Sequence, residues 1–275
     1  MNSNSKSHYA LGYTSEEHRR LIHQAGLLLP HTERLFRSAN IGEGSRVLDL
    51  GSGIGDVSLL LGRLVGPEGE VIGIERNAQS IDHARARVAQ AGMANVSFIQ
   101  SELSNFAVPG SFDAIAGRFI LMYLPDPVSV LRYAISMLRR GGAVAFIEPS
   151  WSASRGLLAH MPVYSAAAGT AVEAFRACGA DTEMGASLHR IFLAAGLPPP
   201  AMNLDMILGS GPEFTHAMCD ILRSLEPEAR KNGASDEAAG DLETLADRLQ
   251  AEIDETGHPI AWLAGHVAAW SRLEP

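Results

Sequence analysis

The sequence predicts an open α/β fold: a mainly parallel sheet with helices on both faces. Three observations predict it. Short apolar runs with strand character alternate with helical segments from about residue 46 to residue 148. The runs are compact and continuously apolar, as in strands buried on both sides. A glycine-rich turn, Gly51 to Gly55, joins the first strand to the helix behind it.

The elements follow in order. Residues 15 to 29 have helical spacing, with Thr14 or Ser15 as N-cap, acids in the first turn and Pro30 as the stop. A second helix covers about 32 to 39, and Gly42 and Gly44 punctuate the chain before the buried strand Val47 to Leu50. Helix 57 to 65, the turn Gly66-Pro67-Glu68-Gly69 and strand 71 to 74 complete a β-α-β unit. The pattern repeats as helix 78 to 91, strands 96 to 100 and 112 to 118, helix 128 to 138, a Gly141-Gly142 turn and strand 143 to 148. Beyond Pro149 the alternation stops. Residues 151 to 177, 188 to 195, 210 to 225 and 241 to 255 read as helical, 203 to 208 as a further strand, and 227 to 240 as an exposed polar loop. Periodicity alone leaves Ile260 to Trp270 open between helix and strand.

Composition bounds the function. The chain has 275 residues, enough for a sizeable core. With 22 Lys and Arg against 31 Asp and Glu, its formal charge of -9 offers no footprint for a phosphate backbone, so a nucleic-acid partner is not expected. Cys178 and Cys219 lie far apart without CxxC spacing, which points to neither a disulfide framework nor a zinc site. The polar N-terminus and the absence of any run of roughly 20 apolar residues give no membrane partner and a cytoplasmic expectation.

The turn Asp49-Leu50-Gly51-Ser52-Gly53-Ile54-Gly55 carries the chemistry. Its glycines let a ligand lie against bare backbone at a helix N-terminus. A dinucleotide fingerprint would need a third glycine at position 56, where Asp56 would instead oppose a pyrophosphate. S-adenosylmethionine carries a sulfonium and an ammonium and no phosphate, so acids around the loop suit it. Glu75 ends the second strand 20 residues after Gly55, where a carboxylate can accept from both ribose hydroxyls. These positions disfavour a nicotinamide oxidoreductase.

On these residues the chain resembles the class I S-adenosylmethionine-dependent methyltransferases, in particular the small-molecule branch of ubiquinone and menaquinone biosynthesis. The resemblance rests on Leu11-Gly12-Tyr13, Arg20 to Ala25, Arg46 to Ser58, Gly117 to Pro127, Arg140 to Pro149 and Ala194 to Leu197. It implies a Rossmann-like sheet of seven strands whose last strand is antiparallel and inserted between the fifth and sixth, which would make Ile260 to Trp270 that strand. It implies residues 1–39 as a helical lid, 40–150 as the cofactor-binding core, and 151–275 as cap insertions with the last two strands. Asp49, Gly51, Ser52, Gly53 and Gly55 would hold the methionine part of the cofactor, Glu75 the ribose and Arg76 part of the adenine wall. Glu102, where relatives commonly carry Asp, would take the adenine amino group, and the Leu103 N–H an adenine ring nitrogen. The Arg118 backbone would accept from the ammonium, and Tyr13 and Gln24 would lie in the lid.

Methyl transfer from a sulfonium has a good leaving group already, so the protein mainly aligns the nucleophile, and no catalytic residue follows from the sequence. Tyr123, Trp151, His160 and Tyr164 are candidates for the substrate pocket, because ligands of open α/β sheets bind outside the carboxyl ends of the strands. Tyr123 stands where the quinone-pathway relatives frequently carry histidine. A metal-dependent enzyme would need a carboxylate cluster at strand ends, and none is legible, so no metal is expected. A mostly apolar pocket containing Met161, Met184, Met202, Met206 and Met218 is the expected surrounding, although methionines at such spacing are more often plain core. The expected activity is methylation of O, N or C of a small metabolite by a monomer or homodimer, with S-adenosylhomocysteine as product. The alternative is a cofactor-binding protein of the same fold with a non-methylating role as cyclase, scaffold or regulator.

Overall fold

The computed structural model describes residues 15–233 and 239–274. The chain divides into two compact units. The sheet unit comprises His18–Glu148, Ala186–Asn203 and Val267–Pro275, and the helical unit includes Pro149–Gly185 and Leu204–His266.

The strands are β1 (Arg46–Leu50), β2 (Glu70–Glu75), β3 (Val96–Gln100), β4 (Phe112–Arg118), β5 (Leu138–Ser150), β6 (Ala201–Asp205), β7 (Leu208–Gly209), β8 (Ile260–Ala261) and β9 (Gly265–Arg272). Seven of them form one sheet in the order β3-β2-β1-β4-β5-β9-β6, mostly parallel, with β9 antiparallel. The order reverses between β1 and β4, which is the switch point at which such sheets bind ligands. β1, β2, β4 and β5 are buried almost throughout, so their continuous apolar character follows from cover on both faces. On one face Val47, Val71, Ala114, Ala143 and Ala145 share a core with α1 (Ser15–Ser38), α2 (Asp56–Val65) and α3 (Ala78–Gln90). On the opposite face, Phe146 meets Phe192 edge-on at 6.4 Å, joining β5 to α7 (Met184–Ala195).

Four expectations are corrected. The two predicted N-terminal helices are one, because α1 runs through Pro30. A proline in a helix interior costs about 3 kcal/mol, and burying Leu28, Leu35 and Phe36 at about 1.5–3 kcal/mol each outweighs it. The Gly141-Gly142 turn is absorbed into β5: Phe112 pairs with Leu138 and Ala114 with Ala143, and Gly141 takes φ 71° in the irregular stretch between. Pro227 does not begin a loop, since α8 (Pro212–Lys231) carries on past it with Ala229 buried and Arg230 paired to Glu226 at 2.6 Å. The segment from Ile260 to Trp270 holds two strands: β8 pairs antiparallel with β7, a turn at Leu263 (φ 62°) follows, and β9 enters the large sheet.

The helical unit contains α5 (Trp151–Leu157), α6 (Pro162–Ala177), α8 and α9 (Leu245–Thr256). Neither α5 nor α6 has a side-chain cap at its own N-cap residue. Glu183 accepts from the Ser152 N–H at 2.7 Å and from the Ser150 and Ser152 hydroxyls at the start of α5. Glu252, on α9, accepts from the Val163 and Tyr164 N–H groups at 2.7 and 3.0 Å at the start of α6. Each carboxylate satisfies donors that a helix start leaves orphaned.

Candidate cofactor site

The site is assembled at the carboxyl end of β1, wholly within the sheet unit. β1 delivers Asp49 inward, and the chain then turns through Gly51, Gly53 and Gly55 at φ 68°, 52° and 84° before α2 begins. All three lie in the left-handed region that glycine adopts without a steric penalty. They differ in what surrounds them. A Cβ on Gly51 would stand 2.4 Å from Ile120, and one on Gly55 would stand 3.1 Å from Ala84 and Phe98. A Cβ on Gly53 would meet nothing within 4 Å. Gly51 and Gly55 are therefore packed, and Gly53 presents bare backbone to open space.

The loop is tied to β2. The Ser52 N–H donates to the Ile74 carbonyl at 3.0 Å, and the Gly53 N–H donates to Glu75 Oε2 at 3.1 Å. Glu75 Oε1 accepts from the Asn77 N–H at 2.8 Å. Each carboxylate oxygen thus holds one backbone donor, and its remaining lone pair is available for hydroxyls. The Ser52 hydroxyl is turned against Gly73, where a Cβ would come within 2.7 Å of it.

Asp49 is 1% exposed and accepts from the Ser58 hydroxyl at 2.5 Å. Burial pushes its carboxyl up to about 7, against the lowering effects of the Ser58 hydrogen bond and of Arg118. Arg118, at the end of β4, donates to Thr32 Oγ1 of α1 at 3.1 Å, and burial lowers its affinity for a proton although Asp56 and Asp49 oppose the shift. Asp56 is engaged by Arg87 at 2.7 Å, and Arg87 also donates to the Ile54 carbonyl at 2.7 Å.

The other predicted residues fall as follows. Gln24 is buried on α1 and accepts from Arg20 at 2.7 Å. The Arg76 carbonyl accepts from Gln100 at 3.2 Å, Glu102 is exposed, and Leu103 is buried. Tyr13 lies outside the described residues. Tyr123 ends a 3₁₀ turn, Leu121–Tyr123, behind β4. In the helical unit, Trp151 is buried against Phe175, and His160 is exposed beside His258 with ring centroids 4.7 Å apart. Tyr164 is fully buried and donates to the Leu263 carbonyl at 3.1 Å, and burial pushes its phenol up to about 12. Tyr164 and Trp151 are thus both buried within the helical unit. Met161, Met184 and Met218 are core residues of the same unit.

Sequence reasoning missed Glu148. It is fully buried at the end of the apolar run of β5, where it accepts from the N–H groups of Ile120, Leu121 and Met122 at 3.0, 2.8 and 3.3 Å. The available signal was an acid closing an otherwise apolar strand.

Bare backbone at Gly53 flanked by the carboxylates of Asp49 and Glu75 fits a ligand with cationic and hydroxyl groups, and it would repel a pyrophosphate. Comparison with known proteins agrees. Residues 41–196 match the family model described as a methyltransferase domain. The chain is 38% identical over 114 residues to the arsenite methyltransferase of Aquipseudomonas alcaligenes, covering 38% of this chain and 33% of that protein. It is 32% identical over 120 residues to the demethylmenaquinone methyltransferase of Listeria monocytogenes, covering 43% of this chain and 49% of the relative. The chain thus spans less than half the length of these curated relatives. Among solved structures, the YcgJ protein from Bacillus subtilis superposes with a TM-score of 0.56 at 16% identity, covering 89% of this chain and 99% of that one, a likeness of fold. The family match gives S-adenosylmethionine as the cofactor and S-adenosylhomocysteine as its product.

Proposed function

The chain belongs to the methyltransferase domain family, and on that premise we propose that it transfers a methyl group to O, N or C of a small organic metabolite. The observation that carries the reading is the open space over the Gly53 backbone, in the turn after Asp49 and tied to Glu75. When bound, S-adenosylmethionine supplies a methyl group on a sulfonium, a leaving group that needs no metal.

The chain's own residues bind and orient. Asp49 supplies a buried carboxyl, which ionises as pH rises through about 7, for the cationic end of the cofactor, and the turn of Gly51, Ser52, Gly53 and Gly55 supplies a surface without side-chain obstruction. Glu75, already fixed by two N–H groups, offers its remaining lone pairs to the ribose hydroxyls. Arg76, Glu102 and the Leu103 N–H are assigned to the adenine, the Arg118 carbonyl to the ammonium, and α1 with Gln24 to the lid. Alignment of the acceptor is the chief contribution of the protein.

The formal charge of -9 supports a small acceptor over a nucleic acid. Among the described residues no helix is long and apolar enough to cross a membrane; a cytoplasmic monomer or homodimer is part of the proposal. The deciding experiment is calorimetric titration with S-adenosylmethionine, S-adenosylhomocysteine and NADH, with Glu75→Ala as control. Binding of both adenosyl ligands by the wild type, weakened at least about tenfold in the variant, supports the site. Binding of NADH alone, or of nothing, refutes it. Release of S-adenosylhomocysteine across an acceptor panel then separates a transferase from a non-methylating protein.

A further inference from the structure

The chain between β4 and the 3₁₀ turn is held in a conformation it would not choose alone. Phe119 has φ 54°, in the left-handed region that a bulky L side chain rarely adopts. Such a residue persists only where its surroundings fix it, and such residues cluster at functional sites. Two contacts fix it here. The Phe119 N–H donates to the Ile147 carbonyl at 2.9 Å, and the next three N–H groups converge on the Glu148 carboxylate.

The consequence falls on the glycine turn. Ile120 is the residue whose side chain fills the space a Cβ on Gly51 would need, and it also lies against Gly117. The loop that Glu148 grips is therefore the floor on which the cofactor turn rests. No sequence-local group could do this: the carboxylate lies 26 to 28 residues downstream of its three donors, on the neighbouring strand β5. A neutral side chain would satisfy the Ile120 and Leu121 donors at most, because an amide nitrogen cannot accept from Met122.

We propose that Glu148 is a positioning residue for the cofactor turn: its carboxylate clamps Ile120, Leu121 and Met122 so that Ile120 braces Gly51 from below. This rests on the reading of the Gly51–Gly55 turn as the cofactor site. It acts through Ile120 and touches no ligand itself.

The test measures S-adenosylhomocysteine affinity by calorimetry, together with Tm, on the full chain. Glu148→Gln is expected to weaken affinity at least about tenfold, the size of effect that one mispaired buried donor can produce. Adding Phe119→Gly in that background is expected to recover part of the loss, since glycine adopts the required φ unaided. A core truncation at the opposite end of α2, Val65→Ala, should lower Tm and leave affinity unchanged. If Glu148→Gln behaves like Val65→Ala, or if Phe119→Gly recovers nothing, the clamp is refuted. If Glu148→Gln fails to fold, Ile120→Ala decides: weaker binding supports the brace, and unchanged binding overturns it. If the wild type binds no S-adenosylhomocysteine, the reading of the site itself has failed, and this inference falls with it.

Discussion

Asp49 is a carboxyl group that the fold prefers protonated, and this preference can be read out without any ligand. Its ordinary value of 3.8 rises to about 7 because burial penalises the charge. Between those values the folded chain holds a proton that the unfolded chain has released. Stability from this group is therefore fully present below 3.8, falls as pH rises, and is gone above about 7. From about pH 5.5 to about pH 8 the loss integrates to about 2 kcal/mol, which corresponds to roughly 4–8 °C in Tm for a chain of this size. Asp49→Asn keeps an oxygen for the Ser58 hydroxyl and removes the titration. Histidines titrate in the same window, so the informative quantity is the difference between the two slopes. Thermal unfolding of both proteins across that range should show the wild type losing about 2 kcal/mol more than the variant. Parallel slopes would refute the argument that burial governs this carboxyl. The same ionisation links to function: affinity for cationic S-adenosylmethionine should tighten relative to the uncharged-sulfur product as pH rises through 7.

Three further outcomes follow from the geometry. Gly51→Ala places a methyl group 2.4 Å from Ile120 at φ 68°, and is expected to lose about 1–3 kcal/mol of stability with weaker cofactor binding, measured by denaturant unfolding and calorimetry. Glu252→Ala leaves the Val163 and Tyr164 N–H groups without their acceptor, and should destabilise the protein by about 2–4 kcal/mol in urea. Tyr164→Phe removes a hydrogen bond to Leu263, at about 1 kcal/mol, and should leave the pH profile of turnover unmoved, because a phenol pushed up to about 12 is no base near neutrality.

The sheet was legible because its signals are local. Val47 to Leu50, Val71 to Ile74 and Val96 to Gln100 are apolar runs bounded by turns, and Gly51 to Gly55 sits between a strand and a helix where the chemistry requires it. What the sequence concealed depends on tertiary context. Pro30 and Pro227 read as stops, yet burial of Leu28, Phe36 and Ala229 carries both helices through. Ile260 to Trp270 holds two strands around a left-handed Leu263, a conformation no propensity suggests. At the site, Asp49 and Glu75 announce themselves by spacing from the glycines. Glu148 does not, since its donors lie in a loop that only strand pairing brings near. Nor does the sequence show that the phenol of Tyr164, in the helical segment after β5, donates to the Leu263 carbonyl 99 residues further on.

The borrowed caps of α5 and α6 bear on how the helical unit forms. A helix capped by its own flanking serine or aspartate can be satisfied as soon as a few residues are made. The first turn of α6 instead waits for Glu252, 88 and 89 residues further along the chain, and that of α5 for Glu183. Until those carboxylates arrive, the starts of both helices carry donors with only water to meet them. The start of α5 should therefore be satisfied once Glu183 has been made, whereas during synthesis the start of α6 should stay frayed until α9 has been made.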